Sequence, residues 1–286
     1  MPSVNSSKRI IKDEPKLEGY PALELHEEKI FIVVKTAPHP SVSYREIVCT
    51  AGITEKGKWI RLYPISYRYL NFFQRYQKYQ WIQAQIRKTA KDKRIDSYRP
   101  SPNSITPIGK RVDTKNNWQE RKKIVLPTLS QSLEMLMEER DKYKISLGIF
   151  KPKEVNDLII EPDDRKWSQK HQAVLGQQVL FEKQTKELEK IPYRFRYKFR
   201  CANRDCKGHA LQITDWEIYE LYRRLKNKNK YDIDKVLAGV KQKWLDEFWR
   251  GELDSYLIVG TSHPYQTFIV LGVFRPKKEQ NLPLFQ

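Results

Sequence analysis

The chain has 286 residues, of which 54 are lysine or arginine and 35 are aspartate or glutamate, so its formal net charge is +19 at neutral pH. Hydrophobic residues make up 39% of it, which is enough for a folded core, and no apolar run reaches the length of about 18 residues that a membrane-spanning helix needs. These figures exclude a disordered chain and a membrane-spanning one. With three cysteines and no disulfide framework, we expect a soluble cytoplasmic protein whose thiols stay reduced.

The basic surplus predicts a polyanionic partner. DNA or RNA fits best, because the chain also carries 16 tyrosines, 11 phenylalanines and 7 tryptophans on which bases can stack. Membrane binding is not expected, since no segment combines a strongly basic face with an apolar one along its length.

The amino-terminal half reads as a small β-barrel. Residues 1–27 lack periodicity and are predicted to form a disordered arm. Runs of β-branched and aromatic residues then predict strands at 30–35, 44–53, 58–63 and 79–87, with a short helix at 66–78. Short consecutive strands favour a barrel, so a β domain is predicted at 28–160.

The rest of that domain and its boundary follow from weaker patterns. Residues 89–127 are rich in Lys, Arg, Asp, Asn and Pro and predict a long basic loop with some extended structure. A helix is expected at 128–143, followed by strands at 145–150 and 158–160. The polar stretch 161–189 is the expected linker to a second, basic α+β domain at 190–275.

Residues 193–200 alternate aromatic and cationic side chains, Tyr-Arg-Phe-Arg-Tyr-Lys-Phe-Arg. On a strand this pattern places the four rings on one face and the cations on the other. The cations, together with two arginines of a following helix, are predicted to contact a phosphate backbone: Arg194, Arg196, Lys198, Arg200, Arg223 and Arg224. The alternative is an ordinary half-buried strand whose solvent face is basic.

Two helices and a hairpin are predicted to complete the second domain. Thr214 and Glu217 form a capping box for the first helix, and the second helix spans residues 232–249. Apolar strands at 256–260 and 267–274 form the hairpin. The expected fold class is therefore α+β, an OB-like small β-barrel followed by a basic half of helices and a β-hairpin.

A candidate metal site follows the alternating strand directly. Cys201, Cys206 and His209 offer three ligands within nine residues, and His263 or Cys49 could supply a fourth. This spacing predicts a structural zinc ion. Buried thiols beside a polar histidine are the alternative, because the spacing departs from the Cys-x2-Cys pair of established zinc sites.

Catalytic signals are weaker. His209, Asp215 and Glu217 could form a hydrolytic metal site, but acidic residues in a first helical turn also simply favour the helix dipole. Phosphate-binding loops, dinucleotide fingerprints and hydrolase motifs are absent from the sequence. We therefore expect a binding protein, with a metal-dependent nuclease or base-processing enzyme as the alternative.

One segment resembles the opening of bacterial dual-OB-domain proteins. The matching residues are 47–53, Ile-Val-Cys-Thr-Ala-Gly-Ile, and 57–64, Gly-Lys-Trp-Ile-Arg-Leu-Tyr-Pro. The resemblance implies an OB-like barrel, a fold that commonly binds single strands. Arg61 is the candidate phosphate contact there, and Trp59, Tyr67, Tyr69 and Trp81 are the candidate stacking rings.

The last residues, 276–286, form the predicted peptide tail. Leu282, Leu284 and Phe285 resemble the short peptide by which bacterial replication and repair proteins bind the sliding clamp. The tail could equally pack on its own domain. Taken together, the sequence predicts nucleic-acid binding in bacterial DNA repair, replication or defence against foreign DNA, with a clamp-binding adaptor as a further alternative.

Overall fold

The computed structural model describes residues 24–176, 187–262 and 266–279. Within these residues the strands, in chain order, are β1 (His26–Lys35), β2 (His39–Ser41), β3 (Arg45–Thr54), β4 (Trp59–Ile65), β5 (Trp81–Arg87), β6 (Ser97–Pro100), β7 (Thr106–Ile108), β8 (Leu129–Ser130), β9 (Leu147–Phe150), β10 (Glu154–Pro162), β11 (Tyr193–Arg200), β12 (His209–Gln212), β13 (Tyr256–Thr261) and β14 (Phe268–Phe274). The helices are α1 (Lys115–Val125), α2 (Leu133–Tyr143), α3 (Gln169–Gly176), α4 (Trp216–Lys228) and α5 (Ile233–Lys241), which runs on as a π-helix (Gln242–Arg250).

The amino-terminal half is a closed five-stranded barrel in the order β1-β3-β4-β6-β5, closed by the pairing of β1 with β5. Four of its five pairings are antiparallel, and β4 pairs with β6 in parallel. Apolar residues at every second position point inward, among them Ile30, Ile60, Leu62 and Ile82. Each such burial contributes about 1.5–3 kcal/mol.

The second half contains two sheets and most of the helices. One sheet has the order β10-β11-β12 and the other the order β14-β13-β9-β8. The aromatic face of β11 packs against the helices, and the hydroxyl of Tyr197 donates to the carbonyl of Trp244 at 2.5 Å. Phe195 and Phe199 are fully buried beside it. The alternation of residues 193–200 thus decides which face of this sheet meets the core.

The two halves share a core. Phe31 and Val33 of β1 pack with Ile258 of β13 and Phe274 of β14. At the edge of this contact the guanidinium of Arg61 is buried. Its terminal nitrogens donate hydrogen bonds to Ser146 of the second half and to the Cys49 sulfur, whereas its buried Nε has no partner among the described residues.

The α+β class predicted from the sequence is confirmed, as is the small barrel that opens the chain. Two local predictions were wrong. Residues 89–127 contain extended segments, β6 and β7, but also the helix α1, which was not predicted. Residues 66–78 contain two short 3₁₀ turns (Tyr67–Tyr69 and Phe72–Gln74) instead of one helix. In both places short elements are held by neighbouring strands, a tertiary effect that local composition does not report.

Helix starts also differ slightly from the prediction. Asp215, rather than Thr214, caps α4 and accepts a hydrogen bond from the Glu217 amide at 2.9 Å. Ser132 caps α2 through the Met135 amide. Among the described residues, the helices are all too short or too polar to cross a bilayer.

Candidate functional site

Four side chains meet where β11, β12 and α2 come together. Cys201 follows β11, Cys206 lies in the next loop, His209 begins β12, and Glu134 stands in the first turn of α2. Their ligand atoms all lie within 4.8 Å of one another. We call these four residues the Cys-His-Glu cluster.

The local chain geometry produces this convergence. The Cys201 amide donates to the Cys206 sulfur at 3.2 Å, which curls the loop back on itself. Gly208 has a φ of +92°, a conformation that glycine adopts without strain, and it turns the chain into β12. His209 Nε2 then lies 2.8 Å from Glu134 Oε1, and its ring packs on Phe199 with centroids 5.2 Å apart.

The electrostatics of the cluster favour a cation. Burial would raise the pKa of Glu134, but hydrogen bonds led by the one from His209 lower it to about 2, so the carboxylate is charged. Its other oxygen, Oε2, is buried and has no hydrogen-bond partner among the described residues. Burial raises the pKa of Cys201 to about 12, as expected for a thiol with no cation beside it.

The donor set suits a metal ion. Two sulfurs, one imidazole and one carboxylate are ligands that divalent transition metals accept. Ligand atoms around one such ion are separated by about 3.3–3.8 Å in tetrahedral geometry, so side-chain adjustments of about 1 Å would complete the site. The cluster can therefore hold a metal ion.

Glu134 was not identified from the sequence. It lies 75 positions before His209, and the pairing depends on how α2 packs against β12. Of the two residues considered as a fourth ligand, His263 lies outside the described residues. Cys49 is in β3, where its sulfur accepts a hydrogen bond from Arg61 at 3.3 Å.

The cations of β11 lie on the exposed face of their sheet, but carboxylates accompany two of them. Arg196 lies 3.1 Å from Glu161, and Arg194 lies 3.9 Å from Asp163. Within the described part of the chain, Lys198 and Arg200 have no carboxylate within ion-pair distance. The half of the strand next to the Cys-His-Glu cluster therefore carries the uncompensated charge.

The arginines of α4 divide in the same way. Arg223 forms ion pairs with Glu220 at 2.6 Å and with Glu189 at 3.6 Å. Arg224 is exposed and has no ion pair within the described segments. Of these two arginines, Arg224 could contact a phosphate without breaking an ion pair, whereas Arg223 could not.

His209, Asp215 and Glu217 belong to two different sites. His209 is part of the Cys-His-Glu cluster, whereas Asp215 lies 3.0 Å and Glu217 lies 3.3 Å from the ammonium of Lys78. The ammonium occupies the space between the two carboxylates. The structure thus places these acids against a cation of the barrel instead of against the histidine.

The barrel residues singled out from the sequence are largely enclosed. Arg61 is 4% exposed and donates to the carbonyl and hydroxyl oxygens of Ser146 at 3.2 and 3.1 Å. Trp59 and Trp81 are half-buried against the shared core. Tyr67 and Tyr69 are also half-buried, with Lys35 over the first ring and Arg45 over the second.

A different pair of rings is open to solvent on the barrel. Tyr44, before β3, and Tyr63, in β4, are each 40% exposed. Arg99 donates to the Tyr44 hydroxyl, and burial raises the pKa of Tyr63, an effect that the charge of Arg94 opposes. The sequence contained no signal that separates Tyr63 from Arg61, because strand alternation points both side chains away from the barrel interior and only the packing of the second half encloses Arg61.

Cations surround a cavity whose wall includes Arg94, the residue whose charge acts on Tyr63. The cavity has a volume of ≈ 190 Å³ and lies between residues 91–94 and the segment that leads into β9. Lys91, Lys93 and Lys144 line it, and none of the three has a carboxylate within ion-pair distance in the described part of the chain. Arg94, in the same wall, is held by Asp92 at 2.6 Å. We call Tyr44, Tyr63 and these cavity-lining cations the open face.

The proposed clamp-binding residues Leu282, Leu284 and Phe285 lie outside the described residues. The tail is described only up to Glu279, whose carboxylate lies 2.7 Å from Lys122.

Comparison with known families gives two matches. Residues 26–127 match the model of a domain of unknown function, DUF8758, and residues 129–286 match that of a second domain of unknown function, DUF8757. The second match spans more than half of the chain. No curated protein matches the chain.

Proposed function

We propose that this chain, which belongs to the DUF8757 family, binds single-stranded nucleic acid on the open face of its barrel. The observation that carries the proposal is the exposure of Tyr44 and Tyr63, combined with the lysines without carboxylate partners in the cavity that Arg94 lines. Flat rings stack on bases whatever the sequence, and lysines contact the phosphates between them. The net charge of +19 would draw the strand in from a distance.

The barrel order supports an OB-like assignment. Numbered within the barrel, β1, β3, β4, β5 and β6 are the first to fifth strands, in a closed Greek-key arrangement. OB-folds bind oligonucleotides on the face of the second and third strands, between the loop after the first strand and the loop after the fourth. Here those loops are residues 36–44 and 88–96, which contribute Tyr44 and Lys91 to the open face.

We also propose that the Cys-His-Glu cluster holds a structural zinc ion. Four protein ligands leave no position for a reactive water, which is the arrangement of structural sites. The orphaned Oε2 of Glu134 supports this, because a buried carboxylate oxygen without a donor is otherwise costly. The ion would tie α2 to β11 and β12, next to the uncompensated Lys198 and Arg200.

The binding experiment compares the full chain with two variants, using a labelled 12-mer oligothymidine and its RNA counterpart. Tyr44→Ala plus Tyr63→Ala should weaken binding by about 1 kcal/mol or more per ring. The control is Tyr231→Ala, which removes a more exposed ring from the α4–α5 turn. Equal losses in the two variants, or no binding by the unmodified chain, would refute the proposal.

A salt titration tests the lysines separately. The variant Lys91→Ala plus Lys93→Ala plus Lys144→Ala should bind more weakly and should lower the slope of log K against log salt by about 2, since each single-strand phosphate contact contributes about 0.7. The matched control removes three exposed lysines elsewhere, Lys56, Lys58 and Lys228. An unchanged slope in the first variant would show that the lysines of the open face do not contact phosphates.

A further inference from the structure

A second cavity, of ≈ 510 Å³, lies between the barrel and the beginning of α4, on a part of the molecule that the open face does not use. Its volume is within the usual range of small-molecule sites, about 300–1,000 Å³. The wall comes from the end of β1, from the loop before β5, from the loop after β7 and from the start of α4. It includes Lys35, Tyr67, Lys78, Arg111, Asp215 and Trp216.

A buried charge group forms the floor. Asp215 is 1% exposed, and its Oδ2 lies 3.0 Å from the ammonium of Lys78. Glu217 lies 3.3 Å from the same ammonium and 3.7 Å from Arg275. Burial opposes the charge on Lys78, but the two carboxylates raise its pKa above the ordinary value, so it remains an ammonium. Gly272 leaves room beside the pair, since a Cβ there would lie 3.1 Å from Asp215 Oδ2.

The carboxylates of the cavity are all engaged. Asp215 and Glu217 bind Lys78, and Glu220 accepts hydrogen bonds from the Trp216 indole at 2.8 Å and from Arg223 at 2.6 Å. An incoming ligand therefore meets no acidic group that lacks a partner.

Lys35 and Arg111 are cations of a different kind. Neither has a carboxylate within ion-pair distance in the described ranges. The Lys35 ammonium donates to the Tyr76 carbonyl at 3.4 Å and lies 4.1 Å from the centroid of the Tyr67 ring. Burial, and next the charge of Lys78, lowers the pKa of Lys35 to about 8. An anion beside Lys35 would relieve both effects.

Two aromatic rings stand beside Lys35 and are already fixed. The Tyr67 hydroxyl donates to the Tyr76 carbonyl, and the Trp216 indole is held by Glu220. The rings of Tyr67 and Trp216 meet edge to face, with centroids 5.5 Å apart. Because the two rings are nearly perpendicular, a planar ligand can stack on the face of one and meet the edge of the other, at little cost in conformational entropy since both are already held.

We propose that this cavity binds a single nucleotide, with its phosphate against Lys35 and Arg111 and its base against Tyr67 and Trp216. A cation pair without carboxylates and a pair of fixed rings in one cavity match the two halves of a nucleotide. The ligand is either a free nucleoside monophosphate or the phosphorylated end of a strand, which share this chemistry. The site is separate from the open face and does not depend on it.

Calorimetric titration of the full chain with adenosine, guanosine, cytidine and uridine 5′-monophosphates tests the proposal. At least one of them should bind at one site per chain, and the nucleoside without phosphate should bind about tenfold more weakly, because a charge-assisted hydrogen bond is lost. Lys35→Met, which keeps the length of the side chain, should weaken nucleotide binding by a similar factor. Lys110→Ala removes the exposed cation next to Arg111 and should leave the affinity unchanged.

The outcomes separate this site from the proposed function. The Tyr44→Ala plus Tyr63→Ala variant should bind the nucleotide like the unmodified chain, so either proposal can fail alone. A 5′-phosphorylated oligonucleotide that displaces the nucleotide, when its 5′-hydroxyl counterpart does not, assigns the cavity to strand ends; no displacement by either assigns it to free nucleotides.

The proposal is overturned if no monophosphate binds, or if Lys35→Met binds normally. Thermal unfolding of each variant verifies that it is folded, and Trp216→Leu, which removes a ring proposed to contact the base, should also weaken nucleotide binding.

Discussion

The Nε2 atom of His209 lies 2.8 Å from the carboxylate of Glu134, although 75 residues separate them in the chain. This contact adds a fourth side chain to three ligands that are close in sequence. It joins α2 to β12, the strand that pairs with β11 and its exposed cations. It gives the Cys-His-Glu cluster a donor set that can be tested directly.

The purified protein is expected to contain one zinc ion per chain. Cys206→Ser should lose the ion and lower the free energy of unfolding by about 2–3 kcal/mol, the linkage expected when free metal exceeds its dissociation constant about a hundredfold. Metal analysis and denaturant unfolding measure the two effects. Cys49→Ser changes the remaining half-buried thiol and should keep the metal. A metal content well below one ion in the unmodified chain would eliminate the zinc assignment.

The cations of β11 should not contribute equally to nucleic-acid binding. Lys198→Ala plus Arg200→Ala should weaken binding more than Arg194→Ala plus Arg196→Ala, because the last two already interact with Asp163 and Glu161. Oligonucleotide titrations at about 50 and 200 mM salt would measure the difference, which should shrink at the higher concentration. Equal effects of the two variants would mean that breaking the ion pairs with Asp163 and Glu161 requires no free energy.

Nucleotide binding in the second cavity should depend on the protonation of Lys35. Its ammonium has a pKa of about 8, lowered first by burial and then by Lys78, with Glu217, Asp215 and Arg111 also acting on it. The affinity should therefore fall as the pH rises from about 7 through about 8, because the amine loses its charge, whereas below about pH 7 it should follow the second ionisation of the phosphate near pH about 6. In Lys35→Met the fall above about pH 7 should be absent. A fall that persists in the variant would assign the dependence to another group.

Asp92 should make the loop of residues 88–96 sensitive to acid. Its carboxylate accepts hydrogen bonds from the Arg94 guanidinium and from the Ser97 hydroxyl at 2.6 Å. Burial alone would raise the pKa of Asp92, but these bonds hold it well below its usual range. Because the folded pKa is the lower one, the stabilisation is complete above the unfolded value of about 3.9 and is lost as the pH falls below it.

Denaturant unfolding of Asp92→Asn measures this contribution. The variant should lose about 1–3 kcal/mol at pH about 7, and its difference from the unmodified chain should diminish toward pH about 3. Asp113→Asn, at an exposed carboxylate, serves as the control. A difference that stays constant over this pH range would contradict the assignment.

Gly52→Ala should destabilise the barrel. A Cβ at this position in β3 would lie 2.3 Å from the Phe31 carbonyl oxygen, and that backbone atom of β1 cannot move aside. The free energy of unfolding should fall by about 1–3 kcal/mol or more, as measured with denaturant. Gly176→Ala, where a Cβ meets nothing within 4 Å, should have little effect. Similar stabilities for the two variants would contradict the close approach of β1 and β3.

Features set by residues that are close in the chain could be predicted before the fold was known. Alternation of side chains placed Phe195 and Tyr197 in the core and the basic residues of β11 outside it, because a strand presents successive residues to opposite faces. Runs of β-branched and aromatic residues likewise indicated the barrel strands, and the spacing of two cysteines and a histidine indicated the three metal-binding candidates. These features depend on neighbours in the chain, so the printed sequence contains them.

Only the tertiary structure decided which distant groups meet. It brought Glu134 to His209, enclosed Arg61 against Ser146, and set Lys78 between Asp215 and Glu217. Each of these contacts joins elements whose packing is set by the burial of apolar surface. Because that driving force is not directional, the sequence shows no pattern that tells which polar residues the packing will bring together. For the same reason, which cations remain without a carboxylate could be read from the folded chain alone.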